Sequence, residues 1–181
     1  MREIAAGARL SVPGLYHHFP AKEDLLFELI SRTMDDLISD TEAALMTSDG
    51  DPRAQLRAVV RAHVLFHTDR REESFVGNTE LRSLDSGRHS VIVEKRDHQQ
   101  RLFDRVVVAG AEQGVFATQH PKEASRAIVT MCTAVASWYR KSGPLTPVAI
   151  ADTYGDLALS TVGCRSADRP EASDDERTEE P

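Results

Sequence analysis

The chain has 181 residues, which is enough for one domain or for a large domain with a small one attached. Hydrophobic residues make up 40% of it and charged residues 28%, as is usual for globular proteins, and the apolar runs are too short to cross a membrane. The net charge of −7 argues against non-specific binding of nucleic acid by the whole surface, although 166–181 carry seven acidic residues and 1–22 carry three basic residues against one acidic one.

Apolar residues recur with the 3.6-residue period of an α-helix through most of the chain, and the alternation typical of strands is absent. Several predicted helices begin at a proline, and turn clusters such as 47–52 separate them. In chain order, the predicted helices cover 2–8, 12–19, 22–45, 52–67, 75–84, 88–113, 121–139 and 147–161. Residues 165–181 are polar and acidic and contain proline, which predicts a disordered tail. The predicted fold class is therefore all-α.

The first two predicted helices carry side chains suited to reading DNA. Ser11 can cap the second helix, Pro13 fits its first turn, and the bare backbone of Gly14 allows another surface to approach closely. The apolar residues at 15 and 19 are expected to hold this helix to the core, which turns Tyr16 and the two following histidines outward. Lys22 opens the next helix, where its charge and the free backbone amides suit a phosphate. The pattern predicts a helix-turn-helix whose second helix enters the major groove.

The same stretch resembles the DNA-binding segment of the TetR family of bacterial transcriptional regulators. The matching residues stand at the family's spacings and are Ile4, Ala5, Leu10, Ser11, Leu15, Tyr16, His18, Phe19, Pro20, Lys22 and Leu25. The resemblance implies a helix-turn-helix segment over 1–24, an effector-binding and dimerisation domain over 25–164, and the acidic tail over 165–181. It also implies a repressor that binds a double-stranded, pseudo-palindromic operator as a homodimer. The residues expected at the DNA are Ser11, Val12, Pro13, Gly14, Tyr16, His17 and Lys22.

Two features depart from the family pattern. The family usually has glycine at the position of Arg9, where the turn needs a left-handed backbone, so Arg9 is expected either to strain the turn or to add a phosphate contact. The family also places a further helix before this segment to complete a three-helix unit, and none precedes Met1 here. We expect either a true start upstream of Met1 or a shortened DNA-binding segment.

Residues 138–163 are similar to the C-terminal domains of family members that regulate lipid, acyl-CoA or sterol breakdown. The similarity implies a small effector, apolar or acyl-CoA-like, bound among the central helices, and a dimer interface formed by the last two helices. The candidate effector-binding residues, for each of which ordinary core packing is an alternative, are His63, Phe66, His67, Phe75, Asn78, Phe103, Met131 and Trp138. If the effector is an acyl-CoA, Arg82, Arg88 or Arg96 are candidates to meet its phosphates. The candidate interface residues, alongside Trp138, are Tyr139, Tyr154, Leu157 and Thr161.

Two other functions stay open at this stage. Without its first helix, the chain could be a dimeric ligand-binding protein that does not bind DNA. His63 and His67 share one helix face and could belong to a metal-dependent helical enzyme, although the further ligands Glu80 and His98 are guesses. The two cysteines lack metal-ligand spacing, and neither a nucleophile–histidine–carboxylate set nor a glycine-rich phosphate loop is present. We therefore expect no enzyme, cofactor, metal site or membrane contact, and, since no signal-peptide pattern is present, a cytoplasmic protein.

Overall fold

A computed structural model describes residues 1–164, so the predicted acidic tail lies outside the described residues. This part of the chain contains helices and no strand, which confirms the all-α prediction. None of these helices combines the length and the hydrophobicity that a membrane span requires. A short 3₁₀ helix, Leu81–Ser83, joins the fifth and sixth α-helices. The α-helices are α1 (Arg2–Gly7), α2 (Val12–His18), α3 (Lys22–Thr47), α4 (Pro52–Asp69), α5 (Arg71–Thr79), α6 (Ser86–Glu112), α7 (Pro121–Thr133), α8 (Val135–Trp138) and α9 (Pro147–Thr161).

Short polar side chains and prolines fix where these helices begin. Ser11, Asp51 and Thr146 each accept a hydrogen bond from a first-turn backbone N–H of α2, α4 and α9, at 3.0, 3.3 and 3.2 Å. Asp85 caps α6 in the same way, accepting from the N–H of Arg88 at 2.9 Å. Prolines occupy the first turns of α2, α4, α7 and α9, where a helix has no partner for the missing N–H. Because these signals are local, the predicted starts of these helices agree closely with the observed ones.

The single helix predicted over 121–139 is wrong, because α7 ends at Thr133 and α8 begins at Val135. Ser137 donates both its backbone N–H, at 3.0 Å, and its hydroxyl, at 2.6 Å, to the carbonyl oxygen of Ala134. Bonds from a residue to the third carbonyl before it tighten the turn and compete with the regular α-helical ladder. The buried face nevertheless continues across this turn, because Val135, Ala136 and Tyr139 follow Ile128 and Cys132 at helical spacing.

Most buried apolar side chains form one core with α4 at its centre. Leu56, Val59, Val60 and Val64 on α4 have no exposed surface, and this helix packs against α3, α6, α7 and α9. A smaller buried cluster formed by Ile30, Leu84 and Ile92 joins α3 to the start of α6. Helix α3 therefore packs against the body of the protein, while its N-terminal end follows directly on α1 and α2.

Candidate functional sites

The first two helices present most of the predicted DNA-contacting side chains to solvent. Leu15 on α2 is buried and Phe19 is half-buried, as expected for the residues that hold this helix in place. Val12 and Gly14 are partly exposed, and the candidates that are exposed are Ser11, Pro13, Tyr16, His17 and Lys22. The exposed face of α2 therefore combines a hydroxyl cap, small residues at the front and aromatic side chains at the back.

The start of α3 carries carboxylates that already have partners. Asp24 accepts a hydrogen bond from the backbone N–H of Ala21 at 2.7 Å. Arg88 of α6 pairs with Asp24 and lies 3.5 Å from Glu23. These contacts draw both carboxylates towards α6, so the exposed ammonium of Lys22 is the group at this helix start that suits a phosphate.

The turn between α1 and α2 has the left-handed backbone that the resemblance implied. Arg9 has a φ of 56°, and the adjacent N–H of Leu10 donates to the carbonyl of Ala5 at 2.8 Å. A residue with a Cβ atom is strained in this region of backbone conformation, whereas glycine is not. Arg9 is also exposed, so its guanidinium is free to approach a phosphate.

Replacing Arg9 by glycine is expected to raise the free energy of unfolding by about 1 kcal/mol, because it relieves the left-handed strain. Arg9→Ala keeps the strain and removes the same charge, so urea unfolding of the two variants separates backbone from charge. If Arg9 also contacts a phosphate, both variants lose operator affinity to the same extent. An equal stability for Arg9→Gly and Arg9→Ala would contradict the strain.

Polar contacts join α6 to α3 along much of the length of α3. The Lys95 ammonium lies 2.6 Å from the Asp35 carboxylate and 2.7 Å from the Ser31 hydroxyl. Further along, His98 Nε2 lies 3.0 Å from Glu42 Oε1. Together with the arginine pair at the start of α3, these contacts hold the two helices side by side. A shift of α6 would therefore be transmitted to the helix that carries α1 and α2.

A cavity of about 370 Å³ lies between α3, α4, α6 and α7. Its buried wall includes Leu37, His63, His67 and Gln99, and exposed residues such as Arg126 form its rim. An apolar space with a few polar groups is the usual form of a ligand site. The full lining is Met34, Leu37, His63, His67, Asn78, Arg96, Asp97, Gln99, Gln100, Arg126, Val129, Thr130 and Thr133.

The predicted effector-binding residues divide between this cavity and other places. His63, His67 and Asn78 line it, and Phe75 lines an adjoining cavity of about 320 Å³ that shares Asn78 and Arg96 with it.

The arginines predicted to bind phosphates lie in different places. Arg96 lines both cavities, whereas Arg88 is paired with a carboxylate at the start of α3. Arg82 is exposed and lines neither of these two cavities.

The remaining predicted effector-binding residues lie outside both cavities, and their role in effector binding stays a prediction. Phe103 is fully buried and packs edge-on to the His63 ring at 5.5 Å, and Phe66 lies under the Arg70 guanidinium at 5.1 Å. Met131 packs on the main core, and Trp138 is 43% exposed. Periodicity identifies the apolar face of a helix, but it does not identify which part of that face adjoins a cavity.

Sequence reasoning missed Gln99, which lies on the buried wall of the cavity. It stands seven residues after Ile92 and three and four residues before Leu102 and Phe103, so it interrupts the apolar stripe of α6. A polar side chain in such a stripe needs hydrogen-bond partners in the interior. That interruption was the signal that could have located this wall.

Two stacked histidines form part of the same wall. The rings of His63 and His67 are nearly parallel, with centroids 4.4 Å apart. Burial lowers the pKa of His67 to about 4, against the opposing effect of its hydrogen bond to the His63 carbonyl. Burial and then the neighbouring His67 lower the pKa of His63 well below its usual value. Both imidazoles are therefore neutral near pH 7.

Cations stand beside this neutral wall. Arg96 is partly buried and donates to the Gly77 carbonyl at 2.8 Å, and among residues 1–164 it forms no ion pair with a carboxylate. Burial lowers the pKa of Arg96, although an arginine stays protonated in proteins. Arg126 lies at the exposed rim. Asp97 also lines the cavity, so the two arginines leave one net positive charge there, which suits a ligand with an anionic group.

The guessed metal ligands do not come together. His98 pairs with Glu42, and Glu80 accepts from the Ser83 hydroxyl at 3.1 Å, so neither completes a site with His63 and His67. Within residues 1–164 there is no group of three or more His, Cys, Asp or Glu side chains that could hold a metal ion.

The last helices expose apolar and aromatic surface. Leu157 on α9 is 47% exposed, and the Trp138 ring stacks on Tyr154 with centroids 6.3 Å apart. Thr161 is exposed at the end of α9. Tyr139, by contrast, is buried in the core of its own chain.

Family models match both parts of the chain. The model described as "Bacterial regulatory proteins, tetR family" matches residues 1–29, which include α1, α2 and the start of α3. The model described as "Tetracyclin repressor-like, C-terminal domain" matches residues 49–162, which include the cavity-lining parts of α4 to α7 and the whole of α9.

Individual proteins are similar over most of the chain. The HTH-type transcriptional repressor KstR2 of Mycobacterium tuberculosis is 26% identical over 172 residues, which cover 90% of this chain and 82% of that protein. A solved tetR-family regulatory protein from Rhodococcus is 32% identical with a TM-score of 0.85, covering 91% of this chain and 86% of that one. AibR, solved in complex with isovaleryl coenzyme A and operator DNA, has a TM-score of 0.78 at 24% identity, covering 91% and 87%, and shows the same fold.

Proposed function

The chain belongs to the TetR family of bacterial transcriptional regulators, and from that premise we propose that it is a dimeric repressor whose operator binding is relieved by a small-molecule effector. It is a transcriptional regulator and not an enzyme, and the relatives that it matches are transcriptional regulators too. The proposed site of action is duplex DNA in the cytoplasm. The proposed DNA-contacting residues are those exposed on α2 and at the start of α3, Ser11, Pro13, Tyr16, His17 and Lys22, together with the partly exposed Val12 and Gly14.

The observation that carries this proposal is that one helix serves both sites. Helix α3 begins at Lys22 beside the DNA-reading pair, and Met34 and Leu37 further along α3 line the cavity. A ligand that needs more room between α3 and α6 moves the helix that carries α1 and α2. In a dimer, this movement changes the spacing of the two recognition helices, which must match half-sites about 34 Å apart. Operator affinity then falls because the ligand favours the wrongly spaced state.

The cavity lining supports an effector with an apolar body and an anionic group. Met34, Leu37 and Val129 supply apolar surface, while Arg96 and Arg126 supply positive charge. An acyl-CoA thioester fits this description, because its acyl chain is apolar and its phosphates are anionic. The isovaleryl coenzyme A named in the AibR complex is a ligand of that class in a protein of the same fold.

Purified protein mixed with fragmented genomic DNA tests the proposal. We expect enrichment of a fragment that contains a pseudo-palindrome, a gel shift with that fragment, and its release by an acyl-CoA thioester but not by free coenzyme A. Absence of any fragment enriched over the background retained by a Tyr16→Ala/Lys22→Ala variant would contradict the proposal. Thioester binding without DNA enrichment would instead favour a ligand-binding protein that does not bind DNA.

We propose that the dimer forms through the exposed surface of α8 and α9. Trp138, Tyr154, Leu157 and Thr161 supply it, and Tyr139 is left out because it is buried within its own chain. Aromatic and aliphatic side chains exposed together are typical of interface cores.

Leu157→Glu is expected to convert the dimer to a monomer and to abolish measurable operator binding, because it places a charge in an apolar contact. Light scattering after size-exclusion chromatography gives the mass of each form. Met46→Glu makes the same kind of change at a side chain that is 87% exposed on α3, and should leave the mass unchanged. A dimer that persists in Leu157→Glu would place the interface elsewhere.

A further inference from the structure

The orientation of the Gln99 amide is fixed by its neighbours. The Thr41 hydroxyl donates its single proton to the Leu37 carbonyl at 2.8 Å, so its oxygen can only accept from Gln99, which lies 2.8 Å away. Gln99 therefore turns its NH₂ group to Thr41, and the same group lies 3.2 Å from His63 Nδ1. The carbonyl oxygen Oε1 is left over. It is buried and accepts no hydrogen bond from any residue in the described part of the chain.

The contacts of His67 leave a second acceptor on the same wall. Its Nδ1 lies 2.8 Å from the backbone carbonyl oxygen of His63, and because a carbonyl can only accept, the ring proton is on Nδ1. The ring is neutral near pH 7, since burial lowers its pKa to about 4. Nε2 therefore carries no proton and can only accept. Among residues 1–164, it accepts no hydrogen bond.

His63 does not supply the missing donor. Its Nδ1 accepts from Gln99, so its proton is on Nε2, which donates to the Thr133 hydroxyl at 3.0 Å. Gln99 and His67, each 3% exposed, both line the cavity, and each carries an unused acceptor, Gln99 Oε1 and His67 Nε2. A buried acceptor without a donor, such as Gln99 Oε1, is unfavourable, and a ligand that donates to it recovers that loss.

We propose that the effector carries a hydroxyl group that donates to Gln99 Oε1 or His67 Nε2 on the buried wall, while its anionic group lies at Arg96 and Arg126. Gln99 and His67 are then the residues that select hydroxylated ligands. A carbonyl or ether oxygen can only accept hydrogen bonds, so it cannot pair with either of these two acceptors. Binding of a ligand whose only polar group at this depth is a carbonyl or an ether is therefore disfavoured. The inference rests on the proposed function only in taking this cavity as the effector site.

Three matched probes test the proposal without DNA. The probes are 4-hydroxyphenylacetate, 4-methoxyphenylacetate and 4-methylphenylacetate, which share an anionic group and an aromatic body and differ in whether they donate, only accept or do neither. Calorimetric titration of the whole protein is expected to show at least about fivefold tighter binding of the hydroxylated probe than of the other two. Equal affinities for the three, or no binding of any of them, would overturn the proposal.

Variants then locate the preference. Gln99→Met and His67→Phe remove one acceptor each at similar volume, and we expect the preference for the hydroxylated probe to disappear in at least one of them. Gln100→Met is the matched control, because Gln100 also lines the cavity but its amide is already bonded to Asp104 and Ser125. It should keep the preference. A preference retained in both Gln99→Met and His67→Phe, with both folded by circular dichroism, would overturn the assignment.

These measurements test the proposed function and the inference about hydroxyl recognition independently. If the protein binds no operator but prefers the hydroxylated probe, the recognition inference stands and the proposed function fails. If an operator is bound and released by a ligand but the three probes bind equally, the proposed function stands and the inference fails.

Discussion

Replacing Tyr16 and Lys22 together by alanine is expected to weaken operator binding about a hundredfold, which corresponds to losing one contact of about 1.4 kcal/mol at each residue. Tyr16 is 45% exposed on α2, where its hydroxyl can donate to a phosphate. Lys22 is exposed at the start of α3, and the nearby carboxylates are drawn towards α6. The change removes both groups without disturbing the core, so the unfolding free energy should stay nearly the same. Fluorescence anisotropy with the enriched duplex measures the affinity.

Salt dependence separates the two contributions. Lys22→Ala alone should reduce the slope of log K against log salt by about 0.9, because one phosphate neutralisation is lost. Tyr16→Ala should leave that slope nearly unchanged. Lys141→Ala removes an exposed lysine between α8 and α9 and should alter neither affinity nor slope. Unchanged operator binding by the double variant would show that α2 and the start of α3 do not face the DNA.

Gly110→Ala is expected to lower the free energy of unfolding by about 2–3 kcal/mol, although alanine is normally the better helix former. Gly110 lies in α6, and the chain after that helix folds back so that the N–H groups of Val115 and Phe116 donate to its carbonyl at 2.9 and 3.0 Å. The Phe116 ring, 3% exposed, then covers the place where a Cβ atom would be, and a Cβ there overlaps two of its ring carbons. Urea denaturation measures the loss.

The same substitution at Gly7 is the matched control for this effect. A Cβ at Gly7 meets nothing within 4 Å, so Gly7→Ala should be neutral or stabilising by up to about 1 kcal/mol. Phe116→Leu in the Gly110→Ala background should recover part of the loss, because the smaller side chain makes room, and the two changes would then be non-additive. A Gly110→Ala variant as stable as the wild type would contradict this packing.

Local signals explain why most of the fold is predictable from the sequence. The starts of α4, α7 and α9 follow from Pro52, Pro121 and Pro147, which fit the first turn of a helix and little else. The left-handed turn at Arg9 has no local signal of its own, since arginine disfavours that conformation, and it is predicted only through the family resemblance.

Tertiary contacts explain what the sequence does not reveal. Tyr139 lies on the stripe expected to form the dimer contact, but this stripe, which also includes Ile128, Cys132 and Val135, faces the core of its own chain. The cavity depends on how α6 lies against α3 and α4, so Arg96 and Gln99 become lining residues only once these helices are packed. The division predicted between 24 and 25 falls in the first turn of α3, which continues unbroken to Thr47, and it stays a prediction.

The central claim is that ligand binding in the cavity and operator binding by α2 are coupled through α3. The most direct test is the affinity of the wild-type protein for its enriched duplex, measured with and without each acyl-CoA thioester that the protein binds by calorimetry. We predict that at least one saturating thioester lowers operator affinity tenfold or more, within the range of about 1–3 kcal/mol usual for such coupling, and that free coenzyme A does not. An operator affinity unchanged by every thioester that binds would contradict the account.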